Sequence, residues 1–361
     1  MYDTIVIGGG AVGMFTALKF AKHGERVLLL EAGQLGGQAS WAGGGILSPL
    51  TPWHEDADML QLADYSQSLY PDIAKELVTT TGIDPEYLPC GYLILNPGDE
   101  SEWRHWAAAT KPRLINDVRE FHTAFNPVEN DALFLPWVAQ IRNPRLIKAM
   151  QSMLSQHGVS FLEHSPVTAF DTDGSLLKTV STKEHQYKAE RFVLCAGAWL
   201  NELTLGVKEC AIKPVRGQML LIHAPDIELQ NIVIQEDCYL IPRKDGHILI
   251  GSTVEEVGFD ATTTSAAAEY LYAKAIKILP PLADYRPVKQ WAGLRPRSQR
   301  GKPVIGPSLQ FENVYYNVGH FRIGLTLAPA SAELLWQQVF GKNTFMSPAA
   351  FQIESLFYDR N

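Results

Sequence analysis

The sequence predicts an α/β chain, α+β overall, in which a Rossmann-like dinucleotide-binding domain receives an inserted, mainly antiparallel β domain. Three observations carry this. Residues 4–31 read strand, glycine turn, helix, strand and acid. A strand-rich stretch over roughly 215–290 interrupts the chain. A second glycine turn and helix follow at 319–340. With 361 residues, the chain is long enough for two domains of roughly 100–200 residues each.

The first block sets the fold. Thr4 to Ile7 is an apolar, β-branched run, and Gly8, Gly10 and Gly13 then follow at G-x-G-x-x-G spacing. Met14 to Ala21 has helical apolar spacing, Gly24 stops it, and Val27 to Leu30 is a second strand with Glu31 at its end. The first glycine permits a tight turn, the second admits a pyrophosphate, and Gly13 lets helix and strand pack closely. The helix N-terminus offers free N–H groups to phosphate. Glu31 is placed to accept from ribose hydroxyls. This unit leaves FAD and NAD both open.

Composition narrows the class. Hydrophobic residues make up 46% and charged residues 19%, an ordinary globular balance. The net charge of −8, without a basic cluster, argues against nucleic acid or an anionic membrane as partner. Cys90, Cys195, Cys210 and Cys238 are scattered, with no C-x-x-C pair and no histidine at metal-ligand spacing. Reduced thiols, no metal site and a cytoplasmic location are expected. No apolar run reaches the ~18 residues of a membrane span, and no leader pattern precedes the first strand.

The remaining elements follow in order. Residues 32–53 hold glycine clusters, two prolines and two tryptophans with little periodicity, which suits close backbone contact with a flat ligand. Asp58–Thr81 is a helix, Gly91–Leu95 a strand, Ser101–Thr110 a short helix and Trp137–Ile141 a strand. Asn143 is expected to cap a helix that has Pro144 at its first position and stops at Gly158. Strands follow at 159–162, 166–170 and 177–182. Phe192–Leu194 leads into a glycine turn at Gly197 and reads as the last parallel strand. In the β section, Cys238–Lys244 and His247–Thr253 flank Asp245-Gly246. A two-residue loop there pairs Tyr239 with Ser252 and Ile241 with Ile250. Thr264–Leu279 is a helix, Trp291–Pro296 a constrained loop, Val314–Val318 a strand and Leu325–Phe340 a helix. The expected division assigns 1–85, 140–214 and 291–361 to the dinucleotide-binding domain, and 86–139 and 215–290 to the other.

Several stretches, taken in order, carry a resemblance: IGGGAVG, SWAGGGILSP, LCAGAW, PVRGQM, CYLIPRKDGHILIGST, WAGLRP, GKPVIG and GHFRIGLTLAPAS. Together they resemble the FAD-dependent D-amino-acid oxidase and glycine oxidase family over essentially the whole chain. The resemblance implies FAD, held without a covalent bond. It places Ala11 and Val12 at the pyrophosphate and Glu31 and Ala32 at the adenosine ribose. Ala39, Ser40, Gly44, Gly45 and Ile46 would line the flavin, with Val167 at the adenine and Gly197 in the same wall. His320, Phe321, Arg322, Ile323, Gly324, Leu325 and Thr326 would pass the pyrimidine edge. There the helix N-terminus would stabilise negative charge on reduced flavin.

By the same resemblance, Arg295 clamps a substrate carboxylate, a task that suits the guanidinium fork. An arginine without that resemblance is more often a surface ion pair. Arg322 and Tyr239 would complete the catalytic set, with Val254 and Ile46 on the substrate wall. Two positions depart from the pattern. Ile323 replaces an asparagine of near relatives, and Asp237 replaces a histidine of one relative group. The implied reaction is oxidation of glycine, sarcosine or small D-amino acids by hydride transfer to flavin N5. Dioxygen would be the acceptor, giving peroxide, in an enzyme that supplies thiamin thiazole synthesis. Relatives are often homo-oligomers, tetramers among them. Two alternatives stand: a dehydrogenase that passes electrons to a quinone or carrier, and a flavin-binding protein with a structural or tRNA-modifying role.

Overall fold

The structure, a computed structural model, describes residues 1–126, 132–203 and 211–353. Cys210 lies outside the described residues.

One sheet is centred on Tyr2–Ile7, which pairs in parallel with Val27–Leu30 on one side and Gln186–Leu194 on the other. Ser160–Leu162 extends the parallel sheet beyond the former and Val314–Val318 beyond the latter. The strand ending at Leu194 is therefore not the last parallel one, as its sequence suggests. Val304–Pro307 closes that edge in antiparallel sense. Alternation along each strand divides the core. Val6, Leu29 and Val193 pack on helices Ala11–Lys22, Ala57–Thr81, Asn143–Gln156 and Gly324–Val339. Ile5, Ile7, Leu28 and Leu30 face the opposite way, onto Leu177 and Val180 of the 169–181 hairpin. Burial on both faces is why these strands read as unbroken apolar runs.

The second sheet has eight strands. Their order is Pro287–Ser298, Ile212–His223, His247–Gly251, Cys238–Pro242, Ile232–Gln235, Tyr92–Leu95, Ala132–Leu135 and Arg113–Ile115. All neighbours are antiparallel except Ile232–Gln235 with Tyr92–Leu95. Helix Ser265–Ile278, capped by Thr264, covers Leu220, Leu240 and Ile250 on one face. Met219, Tyr239, Ile241 and Leu249 point to the other.

Long-range pairing explains most departures from the sequence expectations. Residues 291–296 form no loop but lie in the Pro287–Ser298 strand, which pairs with Ile212–Ile222. This is the sheet edge, where prolines cost no ladder bond. Residues 137–141 form no strand; Gln140 makes isolated bridges to Ile46 and Leu88. The strands at 113–115 and 132–135 carry too short an apolar pattern to stand out. The 166–170 strand begins later, at Ala169. Asn143 is not the helix cap; Arg142 holds that position, and the Asn143 amide turns to Ser40 O at 2.6 Å. The expected domain limits at 214/215 and 290/291 fall inside paired strands.

The hairpin register is displaced by one residue. Tyr239 pairs with Gly251 and Ile241 with Leu249. Arg243 N–H bonds to His247 O, and Gly246 has a φ of +77°, so the loop has three residues rather than two. A type I turn closed by a left-handed glycine gives this register. It places Tyr239 against a residue with no side chain.

Candidate active site

A cavity of about 570 Å³ runs between the two sheets. One end is built by the first βαβ unit. A Cβ at Gly13 would fall 1.9 Å from Gly8 O, so the helix packs directly on the turn. Gly13 therefore shapes the wall from behind and does not line it. Glu31 is fixed by Gly9 N–H at 2.6 Å and Gly33 N–H at 2.7 Å, with its side chain on the cavity wall. Ala11 and Val12, expected at the pyrophosphate, both line the cavity, and Ala11 N–H donates to Ser40 Oγ at 2.8 Å. Val12 and Gly13 N–H are left without acceptors among the described residues.

The glycine-rich segment is tied down along its length. Residues 39–42 form one helical turn, Ile141 N–H bonds to Gly45 O, and Leu47 N–H bonds to Ala139 O. Arg243 donates to Gly44 O at 2.7 Å and to Gln140 Oε1 at 2.6 Å. Thr326 Oγ1 donates to Ile46 O at 3.1 Å, so Thr326 anchors this wall and is not part of the lining. Ala32, Ala39, Gly44, Ile46, Val167 and Gly197 line the cavity, as do Gly8, Gly10 and Gly45. Residues 319–325 cross its far side, where helix Gly324–Val339 begins with no side-chain cap. Tyr70 OH donates to Leu325 O and holds that helix start.

At the other end Arg295, Tyr239, Arg322, Met219 and Ser252 converge on the cavity. Arg295 Nη1 donates to Thr253 O at 3.1 Å and Arg216 O at 3.3 Å, and Nη2 donates to Ser252 Oγ at 2.7 Å. Among the described residues it has no carboxylate partner. Burial lowers its pKa, Tyr239 opposes this, and Arg322 adds to the lowering. A guanidinium crowded by protein and facing a cavity without an anion is a ready carboxylate site. Tyr239 OH donates to Met219 Sδ at 3.2 Å, a weak acceptor that a better one would replace. Arg322 is exposed at the rim, with its guanidinium over the Phe321 ring at 5.3 Å.

Other expected residues lie elsewhere. Val254 is 44% exposed and does not line the cavity. Strand His247–Gly251 ends before this point, and of the residues just beyond it Ser252, not Val254, lines the cavity. Asp237 is engaged by Tyr270 OH at 2.5 Å and by Lys274, outside the lining. Arg297, two residues beyond the expected clamp and not itself a site candidate, pairs with Glu256 at 2.6 Å.

A family model described as FAD dependent oxidoreductase matches residues 3–338. The chain belongs to this family. A glycine oxidase of Pseudomonas putida is 39% identical over 98% of each chain. A glycine oxidase of Pseudomonas aeruginosa is 40% identical, over 96% of this chain and 97% of its own. The solved glycine oxidase of Geobacillus kaustophilus superposes with a TM-score of 0.91 at 26% identity, covering 100% of this chain and 99% of its own.

The cofactor of this FAD-dependent oxidoreductase is thus FAD, and the cavity fits it. Asn143 Oδ1, Asn317 Oδ1 and His320 Nε2 are buried on its wall without partners among the described residues. Both amides have fixed orientation. Asn143 Nδ2 donates to a carbonyl. Asn317 Nδ2 donates to Thr16 Oγ1, whose own proton goes to Val12 O. Their oxygens therefore await donors, and a flavin dinucleotide brings ribityl and ribose hydroxyls. Cys195, at the same wall, has its thiol pushed up to about 12 by burial. Ser252, Met219, Asn143 and Asn317 were not among the expected site residues. Only Asn317 gave a signal, as a polar residue inside the apolar strand Val314–Val318.

Proposed function

We propose that this enzyme oxidises glycine and other small amines such as sarcosine and small D-amino acids. From glycine, water and dioxygen the products would be glyoxylate, ammonia and hydrogen peroxide. One observation carries the reading: the half-buried Arg295 guanidinium faces the FAD cavity with no protein carboxylate to neutralise it among the described residues. The similarity to the two Pseudomonas glycine oxidases adds support.

Bound FAD supplies the hydride acceptor at N5 and, once reduced, the reductant of dioxygen. The chain's own residues bind and orient. Arg295 takes the substrate carboxylate through charge-assisted bonds, Tyr239 adds a hydroxyl donor, and Arg322 adds positive charge at the rim. Met219, Ile46 and Ile323 give that end apolar walls, which limit substrate size and exclude water. Orientation is the main contribution, since a fixed near-attack geometry is worth several kcal/mol of barrier. No side-chain base is needed once the amine has lost its proton to solvent. His320 lines the cavity, but burial lowers its pKa to about 3, too weak a base at neutral pH. The imine formed would hydrolyse, or pass as dehydroglycine into thiamin thiazole synthesis.

The test is a panel of glycine, sarcosine, D-alanine and D-proline, under air with a peroxidase dye and under argon with flavin absorbance. Peroxide with glycine is expected. Flavin bleaching without peroxide would favour a dehydrogenase, and no response to any amine would reject the reading. Arg295→Ala should raise KM for glycine strongly while FAD stays bound.

A further inference from the structure

Ser252 is a polar side chain that the reading above leaves without a task. It is 8% exposed, lines the cavity and accepts from Arg295 Nη2 at 2.7 Å. A hydroxyl carries one proton and accepts through its lone pairs. The acceptor side is engaged by Arg295. The Ser252 proton has no acceptor among the described residues.

The protons of Arg295 can be counted in the same way. Its five N–H groups comprise two on each Nη and one on Nε. Nη1 gives both to main-chain oxygens, Arg216 O and Thr253 O. Those oxygens are fixed. Arg216 O also accepts from Glu255 N–H at 3.0 Å, and the Thr253 side chain accepts from Gln218 N–H at 2.9 Å. The end of the fork formed by Nη1 and Nη2 is therefore closed to a ligand. The edge formed by Nε and Nη2 remains, and Ser252 Oγ lies against Nη2. Tyr239 OH is close by, since a Cβ on Gly251 would fall 2.7 Å from it.

We propose that Ser252 is a second carboxylate-binding residue. Its hydroxyl donates to one substrate oxygen while Arg295 binds through its Nε edge and Tyr239 closes the other side. This rests on the amino-acid reading of the site, and it adds a neutral donor that orients the carboxylate about the guanidinium. A carboxylate offers about four lone-pair directions, enough for these donors together.

The experiment compares wild type and Ser252→Ala, both loaded with FAD, by acetate titration of the flavin spectrum and by glycine kinetics. Loss of a hydrogen bond to a charged group should raise the acetate Kd and the glycine KM together by about ten-fold or more. The kcat, the FAD Kd and the melting temperature should stay unchanged. Acetate binding as tight as wild type, or tighter, would overturn the proposal and make the hydroxyl a resting partner that substrate displaces. A parallel loss of FAD affinity or melting temperature would also overturn it, in favour of a structural role. Acetate binding that falls in the variant, in a protein that oxidises no glycine, would uphold Ser252 and reject the proposed substrate.

Discussion

Gly217→Ala isolates the carboxylate clamp from the fold. Gly217 lies in the Ile212–His223 strand with backbone angles that alanine adopts freely. Its added Cβ would fall 2.0 Å from Arg295 Nη2 and 2.2 Å from both Cζ and Nη1. Ordinary contact begins near 3.4 Å, so the guanidinium must move by more than an ångström. It is the tip of a flexible side chain, so this movement does not require the strands to part. The move breaks the bonds to Ser252, Thr253 and Arg216 that aim the fork. A 1 Å misplacement of a binding group costs about 100-fold. KM for glycine, measured by peroxide release, should therefore rise by about two orders of magnitude, while FAD content and melting temperature hold. An unchanged KM in a folded, FAD-loaded variant would refute the assignment of Arg295 as the clamp.

Three further outcomes follow from the same geometry. Gly13→Ala should yield protein unable to retain FAD, because its Cβ meets the Gly8 carbonyl at 1.9 Å and backbone cannot swing aside; the absorbance ratio of flavin to protein checks this. Arg243→Met should raise the FAD Kd by about ten-fold, since Gly44 O and Gln140 Oε1 lose a charged donor, and Arg243→Lys should recover part of the loss in a fluorescence titration. His320 should make the enzyme acid-sensitive. Burial lowers its pKa from 6.5 to about 3, so the unfolded chain binds the proton first as pH falls. Stability from this group is complete above 6.5 and declines from there towards 3, by up to about 1.4 kcal/mol per pH unit. Urea unfolding between pH 6.5 and 5, above most carboxylate titration, should show that slope in wild type and a flatter one in His320→Gln.

The cofactor end was legible because its signals are local. Strand, turn, helix and acid fall within residues 4–31, and each part meets its physical requirement inside that span. The same holds for Thr264, whose hydroxyl accepts from Ala267 N–H three residues on. The substrate end is different in kind. Arg295 was found by resemblance, and its surroundings were misread as a loop, since Gly293 and Pro296 suggest a break. Only the partner strand, some eighty residues earlier in the chain, makes that segment extended.

The hairpin shows how small such an error is and how much it decides. Asp245-Gly246 correctly marks a turn, but the choice between two and three loop residues rests on Asp245, which a two-residue type I′ turn would hold at positive φ and which is not among the positive-φ residues here. With two residues, Tyr239 would face Ser252. With three, it faces Gly251, where any side chain would collide with the tyrosine ring and hydroxyl at 2.7 Å. That register lets the Tyr239 hydroxyl reach Met219 and leaves the Ser252 hydroxyl for Arg295. A one-residue change in a turn, remote from the cavity, thus sets which donors meet there. For that reason substrate choice in this fold cannot be assigned from the fingerprint that announces its cofactor. It depends on sheet register, which is a property of pairs of strands and not of either alone.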